Sequence, residues 1–397
     1  MDRVELKAFL DKQDTESPAA RVIRMLSEKG QLSGAQISVS TGLAKSTVSM
    51  TLAELRKEGI VVERGQERSD RVGRPGTTVT LNPRAGTSVG LLIGVQHIQV
   101  IVADVAHTIL ANKKVYLDPD FSPRHAAEIA RDMITSACAE LSIREETILG
   151  VGLAVAAPIN PHDGRVLRAG GVPTWTGLNM RTEFEPIIRH SVIADNESNC
   201  SAIAEMMWGA AVGHENFLLF TLDVGVGGAI VQRGQVMTGI AGGAGEIGHM
   251  SLDPNGPLCR CGNRGCFEVT AGLRRPLSYA TERFGRQITV SELVGMAIAG
   301  DEGCRRLIAD CATEAGRGLG IVGSIINPGL VVVGGGIVKA GDLFFGPLEE
   351  SYNRHTLIHK SDVPPDYQTR FIASRFIEDD ACLGAVGLVL RHYTRRI

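Results

Sequence analysis

Residues 245–268 hold most of the side chains in this chain that could do chemistry. They read GEIGHMSLDPNGPLCRCGNRGCFE and include one histidine and three of the chain's eight cysteines. Zn²⁺ in proteins prefers cysteine thiolates and histidine imidazoles, commonly four of them in a tetrahedron. Cys259, Cys261 and Cys266 lie within eight residues of one another, and His249 precedes them by ten. This spacing predicts a zinc site with these four ligands.

The predicted zinc is structural, because a closed four-ligand site leaves no coordination position for a substrate. The ion would fix the loop and contribute to its folding. The alternative is that the cysteines are free thiols on a glycine-rich loop, but three cysteines and a histidine rarely cluster in this way without a metal. The remaining cysteines lie in apolar or helical contexts and are predicted to be buried thiols: Cys138, Cys200, Cys304, Cys311 and Cys382.

Composition and length indicate a globular protein of more than one domain. A chain of 397 residues, 44% hydrophobic and 21% charged, is too long for one ordinary core. The N-terminal residues MDRVELKAFLDKQD are charged and do not form a secretory signal. The apolar runs are too short and too rich in glycine for a membrane span. Together with the metal-like cysteine spacing, these features predict a cytoplasmic protein with no membrane association.

The first 85 residues are mildly basic and predict a DNA-binding head. They contain 14 Lys and Arg against 11 Asp and Glu, whereas the rest of the chain has 27 against 33. Helical spacing predicts one helix that ends at Gly30, a second from Ser33 to Gly42, and a third that stops at Gly59. This order is typical of a helix-turn-helix, in which the start of the last helix meets the bases. The predicted base-contacting residues are Lys45, Ser46, Thr47 and Ser49.

Two β-prone segments after the third helix indicate a winged version of the motif. IVVERG and TTVTL are joined by QERSDRVGRPG, which is typical of a hairpin with a polar tip. Arg71 and Arg74 lie on this tip and are predicted to contact the minor groove or its phosphates. The alternative, a small helical domain that binds protein, is less favoured. Residues 1–85 are therefore predicted to form a winged helix-turn-helix domain that binds operator DNA.

The rest of the chain contains the same α/β unit twice. Residues 88–117 predict three strands with turns at Gln96–His97 and Ala106–His107, and a helix at 122–141 precedes the buried strand ILGVGLAVAAPI. After residue 215, strands again turn at a glycine cluster, and a helix from about Cys304 to Ile326 leads into the strand LVVVGGG. Two such units predict two lobes with a ligand cleft between them.

These segments carry a resemblance to a known family. The winged head, DNESN at 195–199, AGEIGH at 244–249 and CRCGNRGCFE at 259–268 resemble the ROK family (repressor, ORF, kinase) of the actin-like ATPase superfamily, and specifically its repressors. The resemblance implies an α/β fold, with the head in front of a two-lobed actin-like (ribonuclease H-like) body and a zinc-binding loop. The first lobe would comprise residues 86–195 and 381–397. The second lobe would comprise 196–380, including the zinc and sugar-binding loop.

The resemblance also implies a sugar site. In similar proteins the residues that match Glu246, His249 and Glu268 contact a sugar, and carboxylates and imidazoles suit sugar hydroxyls. His249 would bind zinc with one ring nitrogen and a sugar hydroxyl with the other. The kinases take their catalytic base from the Asp of an Asn-Asp pair, which is Asn196–Glu197 here. The longer Glu197 side chain displaces the carboxylate, but both residues are still expected to contact the sugar.

The first phosphate loop of the family kinases is degenerate in this chain. Those kinases carry an Asp-X-Gly-Gly-Thr turn after the first strand, where glycine lets the backbone approach phosphate. Here the strand runs into Gln96, His97 and Ile98, which lack the Asp, the second glycine and the Thr. The glycines at 225–228 and 334–336 remain and are interpreted as tight turns retained for folding. The sequence therefore predicts a sugar-binding body with no enzymatic activity.

The predicted function is a sugar-responsive transcriptional regulator, in particular a repressor, controlled by a monosaccharide. Sugar binding would change the angle between the lobes, move the heads and alter operator affinity. Because winged heads usually act in pairs on half-sites, a homodimer or homotetramer is expected. Two alternatives remain: a bifunctional sugar kinase with a DNA-binding head, and a regulator controlled by a protein partner.

Overall fold

The structure is a computed structural model that describes residues 6–66, 77–94, 96–118, 121–168, 173–377 and 379–394. The chain forms two compact units. The first comprises Met1–Cys200 and Ala381–Ile397, and the second comprises Ser201–Asp380. Within the described ranges, no helix combines the length and the apolar composition that crossing a bilayer requires.

The head in the first unit has the predicted helix-turn-helix. Ser33 caps α3 in a reciprocal pair of hydrogen bonds with Gln36, and Gly42 ends that helix in the left-handed conformation. The sheet order β1-β3-β2 places β2 and β3 as an antiparallel hairpin, as expected for a wing. The short elements α1 and β1 were not predicted. The head comprises α1 (Leu6–Leu10), α2 (Pro18–Lys29), β1 (Leu32–Ser33), α3 (Gly34–Thr41), α4 (Lys45–Lys57), β2 (Val61–Gln66) and β3 (Thr77–Leu81).

The first lobe is built on a five-stranded sheet of order β6-β5-β4-β7-β8. The predicted antiparallel run of three strands, the helix after it and the buried strand are all confirmed. β7 and β8 extend the sheet in parallel, and Trp175 and Phe184 are fully buried in its core. The elements are β4 (Thr87–Ile93), β5 (His97–Asp104), β6 (Ile109–Tyr116), α5 (Pro123–Leu141), β7 (Ile148–Val155), α6 (Met180–Ile188), β8 (Val192–Asn196) and the start of α7 (Glu197–Trp208), which continues into the second unit from Ser201.

The second unit repeats the pattern with a five-stranded sheet of order β11-β10-β9-β12-β13. The long helix α11 packs into its core, in which Phe220 stacks on Phe267 at 5.6 Å between ring centroids. The elements are β9 (Phe217–Leu222), β10 (Val226–Gln232), β11 (Gln235–Val236), α8 (Phe267–Ala271), α9 (Arg274–Phe284), α10 (Val290–Ile298), α11 (Glu302–Ile326), β12 (Leu330–Gly334), α12 (Asp342–His355) and β13 (Arg370–Ala373).

The last helix, α13 (Asp380–Thr394), returns to the sheet of the first unit. It lies directly on two strands at glycine positions, because a methyl group at Gly90 would be 2.1 Å from the Cys382 carbonyl oxygen. A methyl group at Gly152 would be 2.0 Å from the Ala385 carbonyl oxygen. Only glycine permits this backbone-to-backbone packing. The helix is buried along nearly its whole length.

Candidate functional site

The four predicted zinc ligands converge on one point of the second unit. Their donor atoms all lie within 4.8 Å of one another. The sulfurs of Cys261 and Cys266 are 3.6 Å apart, and Cys259 Sγ is 3.7 Å from His249 Nδ1. A zinc tetrahedron with sulfur bonds near 2.3 Å has edges of about 3.8 Å. The donor set and its spacing therefore fit a four-coordinate metal ion.

The loop folds around these donors through its backbone. His249 ends a single turn of 3₁₀ helix, and Cys266 immediately precedes α8. The amide of Cys259 donates to the Asn263 carbonyl at 2.8 Å, which closes the turn that carries Cys261. Gly265 has φ 57°, and a methyl group there would lie 1.7 Å from the Asp253 carbonyl oxygen. Glycine at 265 is thus a geometric requirement of the loop.

Burial favours the protonated form of two of these thiols in the absence of a cation. Burial, together with the neighbouring thiols, raises the pKa of Cys266 to about 12. Burial also raises the pKa of Cys259. A metal ion would reverse this balance, because thiolates are its ligands and binding releases their protons. The five cysteines outside this loop are buried thiols that form no disulfide, as predicted.

The two glutamates flanking the metal ligands lie beside the cluster. Glu268 is only 8% exposed, and its Oε2 accepts a hydrogen bond from Arg260 Nη2 at 2.8 Å. Its Oε1 is 4.0 Å from Cys259 Sγ. Burial raises the pKa of Glu246, the Glu268 charge adds to this effect, and Arg260 opposes it. The structure therefore brings Glu246, His249 and Glu268 together and adds Arg260, which the sequence reasoning missed although it stands between two cysteine ligands.

The glycines of residues 225–228 pack against this loop. A methyl group at Gly225 would lie 2.9 Å from Glu268 Oε2, and one at Gly228 would lie 2.5 Å from Ile247 Cδ1. These close approaches position the carboxylate and the 3₁₀ turn against β10. They give the glycines a packing role, in agreement with the interpretation that they are retained for folding.

Asn196 and Glu197 lie in the first unit, at the junction of β8 and α7. The side chain of Asn196 accepts a hydrogen bond from the Ser198 amide at 2.7 Å. Asp195 Oδ1 accepts bonds from the Asn196 amide at 2.7 Å and from Asn199 Nδ2 at 2.8 Å. Burial raises the pKa of the Asp195 carboxyl, while these two bonds oppose the rise. Asp195, which was not singled out from the sequence, thus holds the start of α7.

The turn after β4 is filled by an imidazole. A methyl group at Gly94 would lie 2.5 Å from His97 Cε1, so the His97 ring lies directly over the Gly94 backbone. Burial lowers the pKa of His97, and the nearby charge of Lys114 lowers it further. Val95 lies outside the described residues. A side chain therefore occupies the space over Gly94.

The head presents the start of α4 to solvent. Lys45, Ser46 and Ser49 are exposed, whereas Thr47 is half-buried. The opposite face of α4, which includes Val48 and Leu52, is buried in the head. The other two predicted DNA contacts, Arg71 and Arg74, lie outside the described residues.

Family profiles match both the head and the body of the chain. The profile of the ROK family matches residues 88–392, and that of the IclR helix-turn-helix domain matches residues 19–65. The xylose repressor of Bacillus subtilis is 26% identical over 372 residues, which cover 94% of each chain. The glucokinase of Thermotoga maritima is 30% identical over 256 residues, which cover 60% of this chain and 78% of the glucokinase.

Solved structures of a regulator and of a kinase resemble this chain. A ROK family transcriptional regulator, a homologue of the E. coli Mlc protein, has a TM-score of 0.78 at 21% identity and covers 96% of this chain and 97% of its own. A ROK family glucokinase from Streptomyces griseus, solved with glucose and AMPPNP, has a TM-score of 0.66 at 27% identity and covers 76% of this chain and 99% of its own. The predicted fold class is confirmed. The chain belongs to the ROK family and carries a helix-turn-helix DNA-binding head in front of its ROK body.

Proposed function

We propose that the protein is a transcriptional repressor whose affinity for operator DNA changes when a monosaccharide binds its body. The observation that carries this proposal is the combination of a helix-turn-helix head with a ROK body in one chain. The chain also aligns with xylose repressors over 94% of both chains, so the alignment includes the head and the body. Those repressors make xylose the first effector to test. The heads act in pairs, so we expect a homodimer or homotetramer on the operator.

The sugar hydroxyls are bound by Asn196, Glu197, Glu246, His249 and Glu268. A carboxylate accepts two or more hydroxyl hydrogen bonds, and these charge-assisted bonds are stronger than neutral ones. The clustering of Glu246, His249 and Glu268 supports this role. Zn²⁺ is held by His249, Cys259, Cys261 and Cys266, and it stabilises the loop that carries these groups. His249 Nδ1 faces the thiols, so Nε2 is the ring nitrogen directed to the sugar.

The body does not phosphorylate its sugar. Phosphate binding at the turn after β4 needs a bare backbone, and the His97 ring lies over Gly94 in that place. Glu197 also stands where the kinases have Asp, and the added methylene moves the carboxylate away from the attacking hydroxyl. The similarity to glucokinases makes a bifunctional kinase the alternative. Sugar-dependent ATP hydrolysis by the purified protein would favour that alternative.

The helix α13 transmits the presence of sugar to the head. Its Gly384 lies against α7 one turn after Glu197, close enough that a methyl group there would be 1.7 Å from the Cys200 carbonyl oxygen. Backbones packed without intervening side chains cannot move independently. A sugar that displaces Glu197 and the start of α7 therefore also displaces α13.

The other end of α13 is bonded to the head helix α2. The Thr394 carbonyl accepts a hydrogen bond from Arg24 Nε at 3.0 Å, and Ser27 Oγ lies 3.2 Å from Thr394 Oγ1 in a buried pair. His107, on the β5–β6 turn, makes a further hydrogen bond to the Ser27 backbone. Lys7 Nζ lies 5.7 Å from the Tyr393 ring centroid. Movement of α13 is thereby passed to α2. This helix packs against α4, the helix that is predicted to meet the bases.

A ligand screen followed by a binding assay tests this function. Thermal unfolding is measured with xylose, glucose and N-acetylglucosamine, and each sugar that raises the unfolding temperature is added to an operator-binding assay. We expect at least one sugar to stabilise the protein and to change its operator affinity. If no sugar binds, control by a protein partner becomes the better account. ATP turnover is measured on the same preparation to separate the kinase alternative.

A further inference from the structure

The recognition helix α4 exposes a large apolar side chain on its outward face. Met50 is 75% exposed. Its exposed neighbours Ser46, Ser49 and Ala53 have short side chains, whereas Glu54, one turn further along the same face, is exposed and charged. Met50 is therefore the apolar side chain that projects farthest from this face. It lies opposite the buried residues of α4, so packing within the head does not account for it.

We propose that Met50 is a specificity-determining residue that contacts thymine methyl groups in the major groove. The proposal rests on the DNA-binding role of the head and assigns a base preference to it. The 5-methyl group of thymine is the apolar feature of the major-groove base edges, and apolar side chains recognise it by contact. The short side chains of Ser46, Ser49 and Ala53 allow the first half of α4 to approach the bases closely, while the flexible thioether of Met50 adapts to the methyl surface. Operators of this protein therefore contain thymine at the step that faces the middle of α4.

The alternative is that Met50 has no role in binding and is one of the isolated exposed apolar residues that most proteins have. The chain offers a matched comparison for this alternative. Val39 is 86% exposed in the same head but lies on α3, the helix that precedes the recognition helix. In helix-turn-helix proteins that helix crosses the DNA backbone and does not read bases. Val39 should therefore show no dependence on thymine methyl groups.

The test removes single methyl groups from the DNA. The full-length protein selects duplexes from a random library, and each thymine of the selected site is then replaced by deoxyuridine, which lacks only the 5-methyl group. We expect replacement at one or more positions in each half-site to weaken binding about fourfold, the effect of losing one buried methyl-sized apolar group. The Met50→Ala variant should bind the thymine and uracil duplexes equally. The Val39→Ala variant should keep the fourfold difference.

Three results would overturn the proposal. They are a selected site at which no thymine replacement weakens binding, a Met50→Ala variant that keeps the fourfold difference, and loss of that difference in Val39→Ala alone. Failure to select any duplex would instead contradict DNA binding by the head itself. Both substitutions are at exposed positions on helices, where alanine is well tolerated, so the variants are expected to fold.

Discussion

Replacing Gly384 by alanine tests the contact between α13 and α7 on which the proposed coupling depends. The added methyl group would lie 1.7 Å from the Cys200 carbonyl oxygen and 2.2 Å from its carbonyl carbon. Favourable non-bonded contacts begin at roughly 3.5 Å, so one helix must shift by more than an ångström. Overpacking of this kind costs about 3 kcal/mol or more when the obstructing atoms are backbone. For a unit of this size the unfolding temperature should fall by roughly 6–12 °C.

The matched control is the same substitution at Gly295, in the interior of α10. That residue is exposed, and a methyl group there would meet nothing within 4 Å. Alanine should therefore stabilise the helix by about 0.5–1 kcal/mol. The assay is calorimetric unfolding of both variants and the wild type, followed by operator titration with and without the sugar. An unfolding temperature of Gly384→Ala at or above the wild-type value would refute the close packing. A normal sugar response in a destabilised Gly384→Ala protein would refute the coupling.

Three further predictions concern the metal, the sugar and pH. Metal analysis should find about one zinc per chain, lost in Cys261→Ala and kept in Cys138→Ala; a folded, metal-free wild type would contradict this. Glu268→Gln should weaken sugar binding by roughly 10- to 100-fold in calorimetric titration, because a charge-assisted bond is lost, while Glu302→Gln, at an exposed position at the start of α11, should not. Burial raises the folded-state pKa of Asp195, so its contribution to stability should fall as pH rises from below its unfolded pKa through the folded value. Asp195→Asn should remove this dependence of the free energy of unfolding on pH, measured by urea unfolding at a series of pH values. An equal pH dependence in the wild type and the variant would rule out Asp195 as its cause.

The sequence predicts features that depend on neighbours along the chain. The helices of the head follow from apolar spacing and from caps such as Ser33 and Gly42, which the structure confirms. The metal donors are recognisable because three thiols occupy eight residues, and a short loop with turns brings thiols at this spacing to one ion. The turns on either side of β5 follow from short breaks in apolar runs near 96–97 and 106–107, although His97 is already the first residue of β5.

Features that join distant parts of the chain could not be predicted in this way. Ser27 and Thr394 are 367 positions apart, and nothing in either local pattern indicates that their hydroxyls meet. The glycines at 90 and 152 look like ordinary strand residues, although each receives the backbone of α13. Arg260 stands within a recognisable motif, but its ion pair with Glu268 depends on how the zinc loop folds. Each of these contacts is set by tertiary packing and not by local propensity.

The most direct test of the central claim is the operator affinity of the wild-type protein with and without a saturating sugar that it binds. Fluorescence anisotropy with the selected duplex gives both dissociation constants at one fixed salt concentration, since salt alone changes such affinities strongly. We expect the sugar to change the dissociation constant by about tenfold or more, a coupling typical of allosteric proteins. An unchanged dissociation constant at full sugar occupancy would contradict it.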